Sequence, residues 1–132
     1  MDMVSGEGLL NYSITETGLY RLVVDVDPAI SDYYRALVPK SVRLNRQKYA
    51  PHITVLREAA IPRLLAWGAY DGERIVFEYN PEIRTGEVYF WLEVYSKDLE
   101  DIRVGLGLDP FGPNARPPDD KDCFHMTLGN LK

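Results

Sequence analysis

The sequence predicts an α+β fold: two small sheet-and-helix lobes, pseudo-symmetric, around a central cleft. Three observations support this. Strand-like runs outnumber helix-like ones. The order strand, helix, linker, strand occurs twice. Each repeat ends on a short apolar run in which a histidine is followed two residues later by a threonine. Related halves place equivalent strands on either side of a pseudo-twofold cleft; two separate lobes or one strongly bent sheet, with helices outside, both satisfy the pattern.

In chain order, residues 1–17 are polar and turn-rich and read as a peripheral lead-in. The N-terminal lobe, about 18–58, opens with LYRLVVDVD (Leu19 to Asp27), a strand rich in Val and Leu. Asp27 then suits an N-cap and Pro28 the first helical position. Ile30, Tyr33, Tyr34, Leu37 and Val38 recur at helical spacing until Pro39 stops the helix. A linker with Lys40, Arg43, Arg46 and Lys48 leads to the first motif run, Pro51 to Leu56. A central connecting segment, 59–86, holds a short helix over Ile61 to Trp67, a strand over Arg74 to Tyr79 and a turn over Asn80 to Gly86. The C-terminal lobe, about 87–132, repeats the order. Glu87 to Tyr95 is an aromatic strand. Ser96 or Asp98 caps a helix with Leu99, Ile102 and Leu106 on one side, ended by Gly105 and Gly107. The long loop Asp109 to Asp122 precedes the second motif run, Phe124 to Leu128.

A chain of 132 residues with this composition is one globular domain. No apolar stretch approaches the roughly 18 residues of a membrane span. An acid stands near the N-terminus where a secretory signal carries basic residues, so no export is expected. The single Cys123 excludes an intrachain disulfide and fits a reducing cytoplasm. A net charge of −5 argues against tracking long nucleic acids, which favours a basic surplus, and suits a small phosphorylated ligand held in a pocket.

Side chains alternate along a strand, so His52 and Thr54 share one face, and so do His125 and Thr127. With five threonines in the chain, both histidines meet one at this offset by accident in roughly one sequence in 700. Two imidazoles and two hydroxyls supply an acid, a base and two neutral donors, which is the set that metal-free phosphodiester cleavage needs; no cofactor is expected. Each pair alone also reads as a half-buried strand histidine beside an ordinary threonine. Lys48 and Arg57 flank the first motif and are candidates for phosphate contact or simple surface charges. Arg116 and Lys121 make the loop a candidate phosphate-side flap. Trp67, Phe90 and Trp91 read as packing residues. A zinc site lacks ligands, with two His and one Cys. Cys123 shares the His125 face, so a cysteine nucleophile is conceivable, although no third orienting group accompanies it.

One His-x-Thr run in each half of a small α+β chain resembles the two-histidine phosphoesterase superfamily. The stretches Gly18 to Leu22, ISDYYRALVPK (Ile30 to Lys40) and QKYAPHITV (Gln47 to Val55) are similar to the phage anti-CBASS cyclic-oligonucleotide phosphodiesterases of the T4 type. The resemblance covers most of 18–58 and resumes over Cys123 to Leu128. It implies a bilobal fold with a central cleft, and His52 and His125 as general base and acid. It also implies Thr54 and Thr127 as donors to phosphoryl oxygens, and Tyr20 as a base-stacking residue or a half-buried strand tyrosine. The implied substrate is a small cyclic di- or trinucleotide that bacteria use as an antiviral messenger, cleaved in the infected cytoplasm. The family's C-terminal cover over the nucleotide is not carried over, because only five residues follow Thr127. Open alternatives are an RNA 2′,3′-cyclic or 2′,5′-oligonucleotide phosphodiesterase and a non-hydrolytic sponge.

Overall fold

The structure, a computed structural model, describes residues 2–132. Its elements are β1 (Val4–Ile14), β2 (Tyr20–Val26), α1 (Pro28–Leu37), β3 (His52–Glu58), a single 3₁₀ turn (Leu64–Ala66), β4 (Arg74–Tyr79), β5 (Arg84–Thr85), β6 (Tyr89–Tyr95), α2 (Lys97–Gly105) and β7 (Phe124–Asn130). All strand pairings are antiparallel, in the order β4-β1-β2-β3-β7-β6-β5. Because β4 also pairs with β6, six strands close into a barrel, with β5 at the edge of β6. The class is α+β.

Two expectations change here. The segment read as a peripheral lead-in is largely β1, hydrogen-bonded to β2 on one side and β4 on the other. Its inward positions are Gly6, Gly8, Leu10 and Tyr12, so the alternation is present but two of its apolar side chains are missing. The Phe77 ring covers Gly6 so closely that a Cβ there would lie 2.8 Å from it. The region read as a connector, 59–86, contributes β4, whose Ile75, Phe77 and Tyr79 point into the core. This strand closes the barrel.

The caps form where the sequence places them. Asp27 accepts from the Ala29 amide at 2.9 Å, and Ser96 accepts from the Leu99 amide at 3.3 Å. The packed face of α1 is Ser31 and Tyr34, flanked by Arg35 and Val38. Tyr33 and Leu37 of the expected apolar stripe are 61% and 58% exposed.

The internal repeat extends to the residue register. In β2–α1–β3 the ladder runs Asp25↔His52, Val24↔Ile53 and Val23↔Thr54, then jumps to Leu22↔Leu56. In β6–α2–β7 it runs Glu93↔His125, Leu92↔Met126 and Trp91↔Thr127, then jumps to Phe90↔Gly129. Each histidine strand thus carries a bulge immediately after its threonine, at Val55 and at Leu128. The two units meet at Ile53↔Met126, the central residues of the two motifs.

Candidate functional site

Ile53 and Val55 of β3, and Phe124, Met126 and Leu128 of β7, are buried to within 1% of full burial. Their burial fixes the opposite face for His52, Thr54, His125 and Thr127, which are all half-buried. Antiparallel pairing at Ile53↔Met126 carries His52 beside Thr127 and Thr54 beside His125. The motifs are therefore neighbours on one sheet face, where opposed walls of a cleft were expected. Direct pairing of β3 with β7 is the reason. The two histidines sit on a diagonal of this pairing, with their strand positions about 7–8 Å apart.

Both rings are oriented in the same way. His52 Nδ1 lies 2.8 Å from the Ala50 carbonyl, and His125 Nδ1 lies 3.1 Å from the Ala115 carbonyl. A carbonyl only accepts, so Nδ1 carries the hydrogen and Nε2 is left free to take or give a proton. Burial lowers the proton affinity of His125 from the ordinary imidazole value, and the charge of His52 adds to this. The Ala115 hydrogen bond and Asp119 oppose the shift. His125 is thus biased to the neutral form.

The loop Asp109 to Asp122 is anchored rather than free. It supplies Ala115, which is itself buried, and its Asn114 side chain donates to the Arg57 carbonyl at 3.1 Å. Lys121 Nζ lies 2.9 Å from Oε2 of buried Glu93, an ion pair without the alignment of a hydrogen bond. Arg116 is turned to Asp122 at 2.9 Å, so the residue proposed for a phosphate-side flap is spent within its own loop.

Lys48 lies in a groove that reaches Thr127 but is lined by neither histidine. With Arg35, Arg46, Tyr49 and Thr127 it lines this groove, of about 270 Å³. Arg46 is paired with Asp32 at 3.1 Å. The groove is locally cationic in an acidic chain. A larger cavity of about 440 Å³, lined by Glu73, Asp98 and Asp101 among others, contains neither motif and has the wrong charge for phosphate. Arg57 is exposed, beyond the bulge. Tyr20 stands opposite Glu58, about 13 Å of strand beyond Thr54. Its ring packs edge-on against Trp67 at 5.1 Å. Burial pushes the Cys123 thiol up to about 11, with the Glu93 charge second, so it is protonated at neutral pH and a poor nucleophile.

Two residues went unrecognised in the sequence. Arg35 Nη1 donates to the Leu128 carbonyl at 2.8 Å, and Arg103 Nη1 donates to the Val55 carbonyl at 2.8 Å. Each lies on the buried face of its helix, between Tyr34 and Val38 or between Leu99 and Leu106, and a cation in that position was the available signal. Comparison with family models, curated proteins and solved structures finds no match to this chain.

Proposed function

We propose that the protein is a metal-independent phosphodiesterase of the two-histidine class. Its proposed substrates are cyclic di- and trinucleotide messengers, cleaved at 3′–5′ linkages in the bacterial cytoplasm to antagonise CBASS antiviral signalling. The carrying observation is the pair of adjacent imidazoles, each with Nδ1 fixed on a carbonyl and each beside the other motif's threonine. The matched registers of β2–α1–β3 and β6–α2–β7 support reading the two units as the two lobes of that fold, joined through β3 and β7. The resemblance of the N-terminal half selects the substrate class, and the cationic groove beside Thr127 suits a compact phosphorylated ligand.

In this reading neutral His125 takes the proton from the ribose 2′-hydroxyl, and that oxygen attacks phosphorus. His52 gives its proton to the departing 5′-oxygen. The product is a 2′,3′-cyclic phosphate, which water opens with the two roles exchanged. Thr54 and Thr127 donate to the non-bridging oxygens as their charge grows.

The test is incubation with cyclic dinucleotides, cyclic trinucleotides and RNA bearing 2′,3′-cyclic ends, all in EDTA. Linear products from the cyclic messengers support the proposal. Binding without cleavage replaces it with a sponge, and cleavage of RNA ends alone replaces the substrate class.

A further inference from the structure

We propose that Arg35 and Arg103 are crossed positioning residues: from the helix of one half, each aligns the threonine of the other half through the adjoining bulge carbonyl. The proposal deepens the phosphodiesterase reading and rests on it for its catalytic consequence.

A bulged residue leaves the strand ladder, and its carbonyl needs another donor. Val55 and Leu128 are those residues, and each directly follows a motif threonine. The backbone angles of the bulge residue set how the strand leaves the threonine, so fixing that residue's carbonyl limits the directions open to the neighbouring hydroxyl. Arg35, in α1, holds the peptide that leaves the bulge in β7, Leu128–Gly129; Arg103, in α2, holds its counterpart in β3, Val55–Leu56. Both guanidinium groups are tied at a second point. Arg35 Nη2 donates to the Leu44 carbonyl at 3.1 Å, and Arg103 Nε donates to the Asp109 carbonyl at 2.7 Å. A planar fork anchored at two points fixes the carbonyl in direction as well as distance.

Glycines make room for both. A Cβ on Gly129 would lie 2.6 Å from Arg35 Nη1, and one on Gly112 would lie 2.5 Å from Arg103 Nη2. Neither arginine forms a salt bridge among the described residues; both direct their donors to carbonyls. Arg103 is only 2% exposed. Burying a guanidinium without a carboxylate is an expensive way to satisfy two carbonyls. It is reasonable where the bulge carbonyl's orientation matters and an anion arrives nearby.

The experiment combines Arg35→Met, Arg35→Lys, Arg103→Lys and Gly112→Ala with Thr127→Val or Thr54→Val in the full chain. It reads kcat and KM on a cyclic dinucleotide, and the side-chain rotamers of both threonines from three-bond NMR couplings. Arg35→Met is expected to lower kcat by about tenfold to a hundredfold and, because Arg35 also lines the cationic groove, to raise KM; the loss in kcat is the part that positioning requires. Thr127 becomes rotamer-averaged and Thr54 does not. Adding Thr127→Val to Arg35→Met then lowers kcat little further, whereas Thr54→Val multiplies the loss; Arg35→Lys recovers part of the rate. Arg103→Lys gives the mirror image at Thr54. Gly112→Ala displaces the Arg103 guanidinium without removing it, and serves where Arg103 variants do not fold. Unchanged rotamers at both threonines, or equal coupling to both, overturns the proposal. If the wild-type chain does not cleave, the phosphodiesterase reading fails, while the rotamer measurement still decides the crossed positioning.

Discussion

The two halves repeat one plan yet hold their histidines differently. His52 takes its carbonyl from Ala50, two residues away, while His125 takes it from Ala115 at the inner edge of a long loop. The acid paired with His52 in the ladder, Asp25, is exposed and meets Asn11; the acid paired with His125, Glu93, is 1% exposed and anchors Lys121 of that loop. The N-terminal motif thus borders open solvent and the C-terminal motif is roofed. Symmetric chemistry with exchanging roles does not require symmetric burial. Under the proposed phosphodiesterase reading, the roofed ring begins as base and the open one as acid.

Removing either ring breaks the comparison most severely. His52→Ala and His125→Ala are each expected to slow cleavage of a cyclic dinucleotide by about 10²- to 10⁴-fold. They separate on a nucleotide p-nitrophenyl ester, whose leaving group needs no proton. His52→Ala then regains most of its rate and His125→Ala does not. Equal rescue of both variants rejects the assignment of roles, though not the site.

The pH profile sharpens the same contrast. His125 must be unprotonated to act as base, and burial favours its neutral form. The acid limb of kcat/KM therefore has a midpoint below the ordinary imidazole value of about 6.5, with rate falling about tenfold per pH unit beneath it. Stability has the same sign. The unfolded chain takes up this proton first, so the contribution of the neutral buried ring is complete above about pH 6.5 and is lost as pH falls towards the lowered folded value. NMR titration of the two ring Cε1 protons measures the midpoint directly. A His125 midpoint above the ordinary value overturns the base assignment.

The parts of this asymmetry visible in the sequence were local ones. The His-x-Thr alternation, the Asp27 and Ser96 caps and the bounds of β4 all depend on neighbours within a few residues, and side-chain periodicity reports them. β1 was hidden because Gly6 and Gly8 occupy inward positions that Phe77 and Val24 fill from other strands. The pairing of β3 with β7 was hidden because one bridging register, Ile53↔Met126, decides it across 73 residues of chain. Arg35 and Arg103 reach carbonyls 93 and 48 residues away. No local pattern encodes such a target, although a cation on a buried helical face shows that one exists.

Lys121→Met tests whether the roof depends on Glu93. Removing one partner of a fully buried ion pair costs about 3–5 kcal/mol. Lys121 keeps 48% of its side-chain surface in water, so about 2 kcal/mol is expected after allowing for solvent screening. The counterpart change in the open half, Asp25→Asn, is expected to cost less than about 0.5 kcal/mol. Urea unfolding of both variants measures the difference, and equal losses remove the distinction between roofed and open acids.

A smaller effect than the loss of Lys121 concerns Tyr20, which the family resemblance would place on a nucleotide base. In the repeat, its counterpart beyond Phe90 is Val88, so no aromatic stands at the matching place in the C-terminal half. Tyr20 instead meets the edge of Trp67, which Tyr12 meets at 4.9 Å from the other strand. Edge-to-face pairs contribute about 0.5–1.5 kcal/mol. Tyr20→Leu keeps the apolar bulk and loses that geometry, so about 1 kcal/mol of stability should go while KM for a cyclic dinucleotide stays within about twofold. A stacked base would give the reverse, a stability hardly changed and a KM raised at least fivefold, since stacking contributes about 1–3 kcal/mol. That outcome would mean that the substrate extends from the paired motifs along β3 as far as Glu58, making the open half the nucleotide-binding half and leaving the roofed half to chemistry alone.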